Sequence, residues 1–377
     1  MNRKLRITFL ITGLYGGGAE TMLFHMLRFM DRERFELVVV SLMDRGKFGD
    51  AIEQMGIPVH TVGLRIGRAT PAAFFRLVKV MRAARPDVIQ GWMYHGNLAA
   101  QFANFFVHVP VCQCIQSSFL SFAAEKPLTR LAIRLTARMS RRAAKVVYAS
   151  HVSRMQHEQL GFAAGRGCVI PNGVDPVLFQ PSAAARQSVR EELGLPPGAL
   201  LVGLICRHHP QKDHPNFLRA AAILARKWPE VRFVLVGSRV HGSNPAISEF
   251  VQKLELGSRV HLLGERNDMP RLTAALDVAT SSSRYGEALA VALAEAMACE
   301  VPCVVTDVGD SGLLVGDTGV VVPPGDAEAL AAGINRLLSE GPAKRRELGR
   351  AARIRVAEGY SIQSIVRKYE ELYFSLR

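Results

Sequence analysis

The chain of 377 residues holds only two tryptophans, seven tyrosines and six cysteines, and no two cysteines form a C-x-x-C pair. Cys112 and Cys114 are one residue apart, and Cys299 and Cys303 lie on a helix-to-strand junction. This spacing argues against a zinc site or a disulfide framework and for buried thiols in a reducing cytoplasm. No apolar run approaches membrane-spanning length. The early run from Ile7 to Ile11 is too short for a signal-sequence core, and no small-residue cleavage site follows it; it reads as a first buried strand. The chain also lacks low-complexity segments, short-period repeats and the G-x-G-x-x-G fingerprint. The last absence weakens a nicotinamide-dependent oxidoreductase. Sparse aromatics and the lack of any nucleic-acid-binding motif argue against a nucleic-acid partner, despite the net charge of +14.

Acidic residues are scarce in one half. Residues 1–170 carry 23 Lys and Arg against 10 Asp and Glu, whereas residues 171–377 carry 24 against 23. Between Lys126 and His157 there are eight Lys and Arg and no acid. Arg130, Arg134, Arg138, Arg141 and Lys145 recur there at helical spacing beside Leu131, Leu135 and Met139, with Arg142 adjoining. A second acid-free stretch holds Arg65, Arg68, Arg76, Lys79, Arg82 and Arg85. A basic amphipathic helix suits an anionic membrane surface. It equally suits a solvated helix whose apolar side faces a core. The contrast between the halves favours an anionic partner, with Arg130, Arg134, Arg138, Arg141 and Arg142 as the membrane or acceptor contacts.

The length exceeds one comfortable core and implies two domains. Short β-rich runs alternate with helical patterns throughout, which implies an α/β fold of parallel sheets with helices on both faces. The first half offers strands at 7–12, 37–42, 59–62, 88–90, 111–115 and 146–149. The second offers them at 200–206, 233–237, 260–263, 278–281, 301–306 and 320–322. The turn-rich run Val169 to Asp175, followed by Pro176 and Pro181, marks the junction. The domains are then 1–172 and 173–359.

Two carboxylates carry the strongest chemical signal. Glu287 and Glu295 are eight residues apart, and on a helix turning about 100° per residue they share a face, roughly 12 Å apart along the axis. The residues between them are small or apolar, with no Lys or Arg from Tyr285 to Pro302. Carboxylates in such a setting are costly unless something binds them. A sugar nucleotide fits, because its hydroxyls need acceptors and its diphosphate suits a helix N-terminus. The expected helix starts near Ala288 to Ala290. Upstream, Arg207 and Lys212 follow a strand at the end where open α/β sheets bind ligands, a cation pair suited to a diphosphate. His208 and His209 have no third ligand for a metal. Gly16-Gly17-Gly18 opens a helix after the first strand; it reads either as a phosphate-approaching loop or as a tight turn.

The ordered set of Gly-Gly-Ala-Glu (17–20), Pro-Asn-Gly-Val-Asp (171–175), Arg207 with Gln211-Lys212, Val-Gly (236–237), Glu287-x7-Glu295 with Ala-Met-Ala, and Val-Val-Pro-Pro-Gly-Asp (321–326) resembles the retaining glycosyltransferases of family 4. The flavour is that of the bacterial cell-surface polysaccharide and lipopolysaccharide subgroup, through Asp307-Val-Gly-Asp310-Ser311 and Val315-Gly-Asp317-Thr-Gly319. The resemblance implies the GT-B fold: two Rossmann-like, doubly wound domains facing a cleft, the first for the acceptor and the second for the donor, with 360–377 packing back on the first.

It further implies a UDP- or GDP-linked sugar as donor, a lipid-linked or glycan acceptor, no cofactor, and a cytoplasmic enzyme peripheral to the inner face of the membrane. Arg207 and Lys212 would hold the diphosphate and Glu295 the ribose. Glu287, with the amides of Ala288, Leu289, Ala290 and Val291, would hold the transferred sugar and distal phosphate. Gly16, Gly17 and Gly18 would close over the phosphates. Asp268 and Met269 would border the nucleobase. His95, or in its place Trp92, would face the sugar; Asn97 capping a helix is the alternative reading of that stretch. No D-x-D occurs, so no metal clamp is expected. Two departures stand out: Glu287-Ala-Leu-Ala replaces the usual Glu-Gly-Phe-Gly, and Glu300 replaces a glycine. A soluble nucleotide-sugar enzyme of the same fold, a small-molecule glycosyltransferase or an epimerase, is the alternative function.

Overall fold

The computed structural model describes residues 3–64, 70–119 and 122–377. Arg65 and Arg68 of the second basic stretch lie outside them. The chain divides into two compact units, Met1–Asn172 with Ile362–Arg377, and Gly173–Ser361. The expected return segment therefore starts at Ile362, with Tyr360 and Ser361 remaining in the second unit.

The first unit runs β1 (Leu5–Ile11), α1 (Gly18–Phe29), β2 (Phe35–Ser41), α2 (Gly49–Gln54), β3 (Val59–Thr61), α3 (Pro71–Ala84), β4 (Val88–Trp92), α4 (Met93–Val107), β5 (Val111–Ile115), α5 (Pro127–Ser140), β6 (Lys145–Tyr148), α6 (His151–Gln159) and β7 (Gly167–Val169). Among the described residues its sheet has seven strands, all parallel, in the order β3-β2-β1-β4-β5-β6-β7. Parallel strands need cover on both faces, and β1 and β4 are buried along nearly their whole length. Strand β7 is an addition to the sequence reading; with only three residues and a glycine, it carries no alternation to detect.

The second unit continues with α7 (Ala183–Glu192), β8 (Leu200–Ile205), α8 (His214–Lys227), β9 (Val231–Val236), α9 (Pro245–Lys253), β10 (Val260–Leu262), α10 (Met269–Ala274), β11 (Val278–Ser281), α11 (Val291–Ala298), β12 (Cys303–Thr306), α12 (Ser311–Val315), β13 (Val320–Val322), α13 (Ala327–Ser339) and α14 (Gly341–Gly359). Its described sheet has six parallel strands in the order β10-β9-β8-β11-β12-β13. Both sheets start from a central strand, wind to one edge and then return to the other side, the doubly wound pattern.

The basic, glycine-containing stretch before the last helix forms the 19-residue helix α14. Gly349 survives within it because the helix presses on a neighbouring turn: an added Cβ would come within 2.0 Å of the Glu300 carbonyl oxygen. Glu300 itself has φ 60, the left-handed region that favours glycine, so the glutamate there keeps the turn at some cost in strain.

The last helix, α15 (Ile362–Phe374), seals the first unit. Its Ile362, Ile365, Val366, Tyr369 and Tyr373 join the cluster formed by Phe9, Phe35, Trp92 and Cys114. Trp92 is fully buried, donates from Nε1 to the Ala19 carbonyl at 2.9 Å and lies 6.2 Å from the Tyr369 ring. It therefore faces the core and not a sugar, which removes it as a candidate. Asn97 is not a cap either: it sits inside α4 and bridges to β5, accepting from Cys114 N and donating to Cys114 O, both at 3.0 Å.

Tyr373 donates its hydroxyl to Gln90 Oε1 at 3.0 Å in this core. Tyr373→Phe leaves that buried acceptor without its donor, and chemical denaturation should show a loss of about 1–3 kcal/mol. An unchanged unfolding midpoint would mean that water replaces the hydroxyl.

Candidate active site

The second unit gathers most of the candidate residues at the carboxyl ends of β8 and β11. Arg207 and His208 follow β8 directly, and the loop after β9 is pressed against them. His208 N donates to Ser238 O at 2.9 Å. Gly237 has φ +149, and an added Cβ there would come within 2.2 Å of the Cys206 carbonyl oxygen. This contact explains the Val-Gly pair after β9. Arg207 is exposed and makes no ion pair among the described residues.

Lys212 ends a short 3₁₀ turn, Pro210–Lys212, before α8. Asp213 follows in a left-handed conformation, φ 47, and caps α8 by accepting from Asn216 N at 3.2 Å. This turn points the lysine to an unforeseen partner. Lys212 Nζ pairs with Glu287 Oε1, and both side chains are largely buried. Glu287 also accepts from Ser283 Oγ at 2.6 Å, and Ser282 Oγ donates to the Lys212 carbonyl at 2.7 Å. Thr306 Oγ1 in turn holds the Ser283 carbonyl at 2.7 Å. The cation expected on the diphosphate and the glutamate expected on the transferred sugar are thus paired with each other in this structure.

Glu287 and Glu295 are not two points on one helix. Helix α11 begins at Val291 with Ala290 as its cap, so Ala288, Leu289 and Ala290 precede it. The delay has a local cause. Gly286 turns the chain with φ +74, and Asp310 N donates to the Ala288 carbonyl at 3.0 Å, which holds that residue out of a helical ladder. Gly309 permits this approach: an added Cβ would come within 2.3 Å of the Glu287 carbonyl oxygen. The cap of α11 makes no side-chain hydrogen bond and Leu293 N already donates to the Ala290 carbonyl at 3.0 Å, so the first-turn amides left for an anion are those of Val291 and Ala292.

Glu295 keeps some solvent contact, yet protein surrounds its carboxyl, and it has no ion pair or hydrogen-bond donor among the described residues. Burial pushes this carboxyl up to about 7. It differs from Asp268, which Arg266 and Arg271 hold well below the usual carboxylate range through contacts of 2.8–2.9 Å. Asp268 is therefore engaged in an ion-pair network that includes Glu192. Met269 opens α10 and packs against the core of the second unit.

His208 and His209 both titrate below the ordinary histidine range. Burial is the first cause in each, followed by neighbouring cations, among them Arg239 beside both, and Arg207 and Lys212 beside His209. Arg239 was not anticipated from the sequence. It lies in the β9 loop with φ 62, and its carbonyl accepts from Asn244 Nδ2 at 2.7 Å. The signal would have been a bulky residue placed two positions after a glycine at a parallel-strand mouth.

In the first unit, Gly17 caps α1 with an extended backbone and Gly18 is its first residue. Gly16, Gly17 and Gly18 are exposed, and none has a positive φ. Their smallness leaves the amides at the helix start accessible. His95 is exposed in the first turn of α4. Arg130 is half-buried on α5, while Arg134 and Arg138 on that helix, and Arg141 and Arg142 just past it, are exposed.

Two doubly wound parallel units with this split between residues 172 and 362 define the GT-B class of glycosyltransferases. Comparison with known proteins agrees. The model for "Glycosyltransferase Family 4" matches residues 16–178, and the model for "Glycosyl transferases group 1" matches residues 197–340. The chain belongs to glycosyltransferase family 4. Anabaena Alr3699/HepE, solved in complex with UDP and glucose, is 27% identical, superposes with a TM-score of 0.85, and the match covers 99% of this chain and 100% of that one. EpsF of Bacillus subtilis, a glycosyltransferase by name, is 27% identical over 315 residues, 80% of this chain and 79% of the relative. The UDP-Gal:alpha-D-GlcNAc-diphosphoundecaprenol alpha-1,3-galactosyltransferase of Escherichia coli is 27% identical over 212 residues, 55% of this chain and 54% of the relative.

The raised Glu295 carboxyl has a consequence for stability. An unfolded glutamate titrates near about 4.3, so between that value and about 7 the folded protein keeps a proton that the unfolded chain has released. Unfolding free energy should fall as pH rises through this window and level off above it. Glu295→Gln should flatten that slope in melts from pH 4.5 to 8; a variant with the same slope as the parent would place the effect elsewhere.

Proposed function

We propose that this glycosyltransferase moves a sugar from a nucleoside-diphosphate donor, UDP- or GDP-linked, to a lipid-linked or glycan acceptor in cell-surface polysaccharide or lipopolysaccharide assembly. The observation that carries the donor reading is Glu295: a carboxyl on α11 set in protein, raised by burial and lacking any described donor, in the same unit as the cations after β8. Hydroxyls of a ribose would supply the two donors it lacks.

In this scheme Arg207 and Lys212 hold the diphosphate. They oppose the charge that grows on it as the bond from the anomeric carbon to phosphate oxygen breaks. This charge compensation comes from side chains and the α11 amides, with no metal ion. A phosphate drawing on Lys212 would loosen its hold on Glu287, leaving that carboxylate to accept from hydroxyls of the transferred sugar. In line with the family resemblance, the acceptor proton passes to the departing phosphate oxygen as the acceptor oxygen bonds the same face of the sugar, giving retention. His95 is assigned a contact to the transferred sugar, and Gly16 to Gly18 a second approach to phosphate. The acceptor reading draws on the Escherichia coli relative, whose name gives a diphosphoundecaprenol-linked sugar as its substrate. The exposed cations on and beside α5 suit an anionic surface and support the reading of a cytoplasmic enzyme at the inner face of the membrane.

Thermal shift against UDP-glucose and GDP-mannose should reveal one stabilising donor. Glu295→Ala should weaken its binding about tenfold or more without loss of fold, as expected for hydrogen bonds to a charged group. Equal affinity in a folded variant would sink the ribose assignment. Arg207→Ala should chiefly lower kcat, because the leaving charge is largest in the transition state. Turnover at the parent rate would refute that role.

A further inference from the structure

Three neighbouring helices of the first unit, α3, α4 and α5, contain no Asp or Glu. Their outer surface is also apolar. Phe75 on α3 is 69% exposed, and Phe102 and Phe105 on α4 are 52% and 51% exposed. These rings form a connected cluster: Phe74 meets Phe75, Phe102 and Phe106 edge-on at 5.9, 6.4 and 5.7 Å between centroids, and Phe102 meets Phe105 at 6.2 Å. Arginines flank the cluster. The Arg82 guanidinium lies 5.6 Å from the Phe106 ring centre and that of Arg142 5.8 Å from Phe105. On α5 the sequence reading is corrected. Ala132, Ile133, Thr136 and Ala137 face the core, whereas Leu128, Leu131 and Leu135 project outward alongside Arg134 and Arg138.

Bulky apolar side chains gathered on a surface mark an interaction site, because water penalises each of them. The flanking helices α3 and α5 hold arginines and none of the three helices holds an acid, so the complementary partner is anionic and apolar in depth. A bilayer with acidic headgroups has both properties in layered order. Arginines snorkel to the phosphates while rings and leucines reach the acyl boundary. We propose that the α3–α5 face is a membrane-insertion surface, in which the Phe75, Phe102 and Phe105 cluster seats below the headgroups of an anionic bilayer. The proposal rests on the membrane-linked acceptor reading and adds an aromatic wedge to its electrostatic contact. No described helix is long and apolar enough to cross a membrane.

Flotation of the full chain with phosphatidylcholine vesicles, with and without phosphatidylglycerol, tests it. The parent should float with the anionic vesicles and keep part of that binding as salt rises, since ring burial is not screened. The variant Phe75→Ser/Phe102→Ser/Phe105→Ser should bind them at least about tenfold more weakly. Its UDP-induced thermal shift should match the parent, because none of these residues belongs to the donor site. Absence of parent flotation at low salt overturns the proposal. So does undiminished flotation of the variant, which would assign binding to the arginines alone. A parent that is dimeric in sedimentation without lipid, with a monomeric variant, would make the patch a self-interface and overturn it as well. A parent stabilised by neither UDP nor GDP would instead defeat the donor reading and leave the flotation result standing.

Discussion

A carboxylate with little access to water needs a partner, and Glu287 organises its part of the second unit around that requirement. Lys212 supplies the charge, Ser283 a hydroxyl, and Thr306 fixes the serine from β12. Gly309 makes room for the backbone that carries the glutamate. Segments after β8, β11 and β12 are thereby tied to one acid at the same end of the sheet. Removing one member of such a buried pair is far more damaging than replacing both, since it strands the other charge. The arrangement also keeps a cation and an anion ready where a donor needs each, with their charges satisfied until a ligand competes for them.

Much of this architecture is legible in the sequence because parallel sheets write a strong signal. Strands covered on both faces must be apolar throughout, so β5, β11 and β13 lie where the pattern places them, and most others within a residue or two. The failures share a cause: contacts between residues distant in sequence. Pattern alone cannot tell that Trp92 turns inward to Ala19 and Tyr369, that Asn97 reaches sideways to Cys114, or that Gly349 serves a helix-to-turn contact. Strand β7 is too short to be periodic.

The candidate site was read in the same way, and its local geometry differs from that reading. Arg207, Lys212, Glu287 and Glu295 all belong to one unit, as their place after strands suggested. The shared helix face of the two glutamates dissolved because helical spacing was assumed across a segment that Gly286 and Gly309 hold extended. The lysine partner was searched for within the local sequence, while it lies 75 residues upstream. Composition gave the sign of the first unit's surface but not its texture, since only packing decides which side of an amphipathic helix is turned outward.

The α15 helix has one more implication. Residues 362–377 belong to the unit that begins the chain. During synthesis that unit emerges first, yet Phe9, Phe35 and Trp92 wait for a cover made last. The usual order, in which the N-terminal domain is finished before its successor appears, cannot hold here. The second unit, closed within Gly173–Ser361, has all of its own residues before the first does. Until α15 arrives the nascent chain displays an aromatic face, and its safe passage depends on that interval being short or shielded.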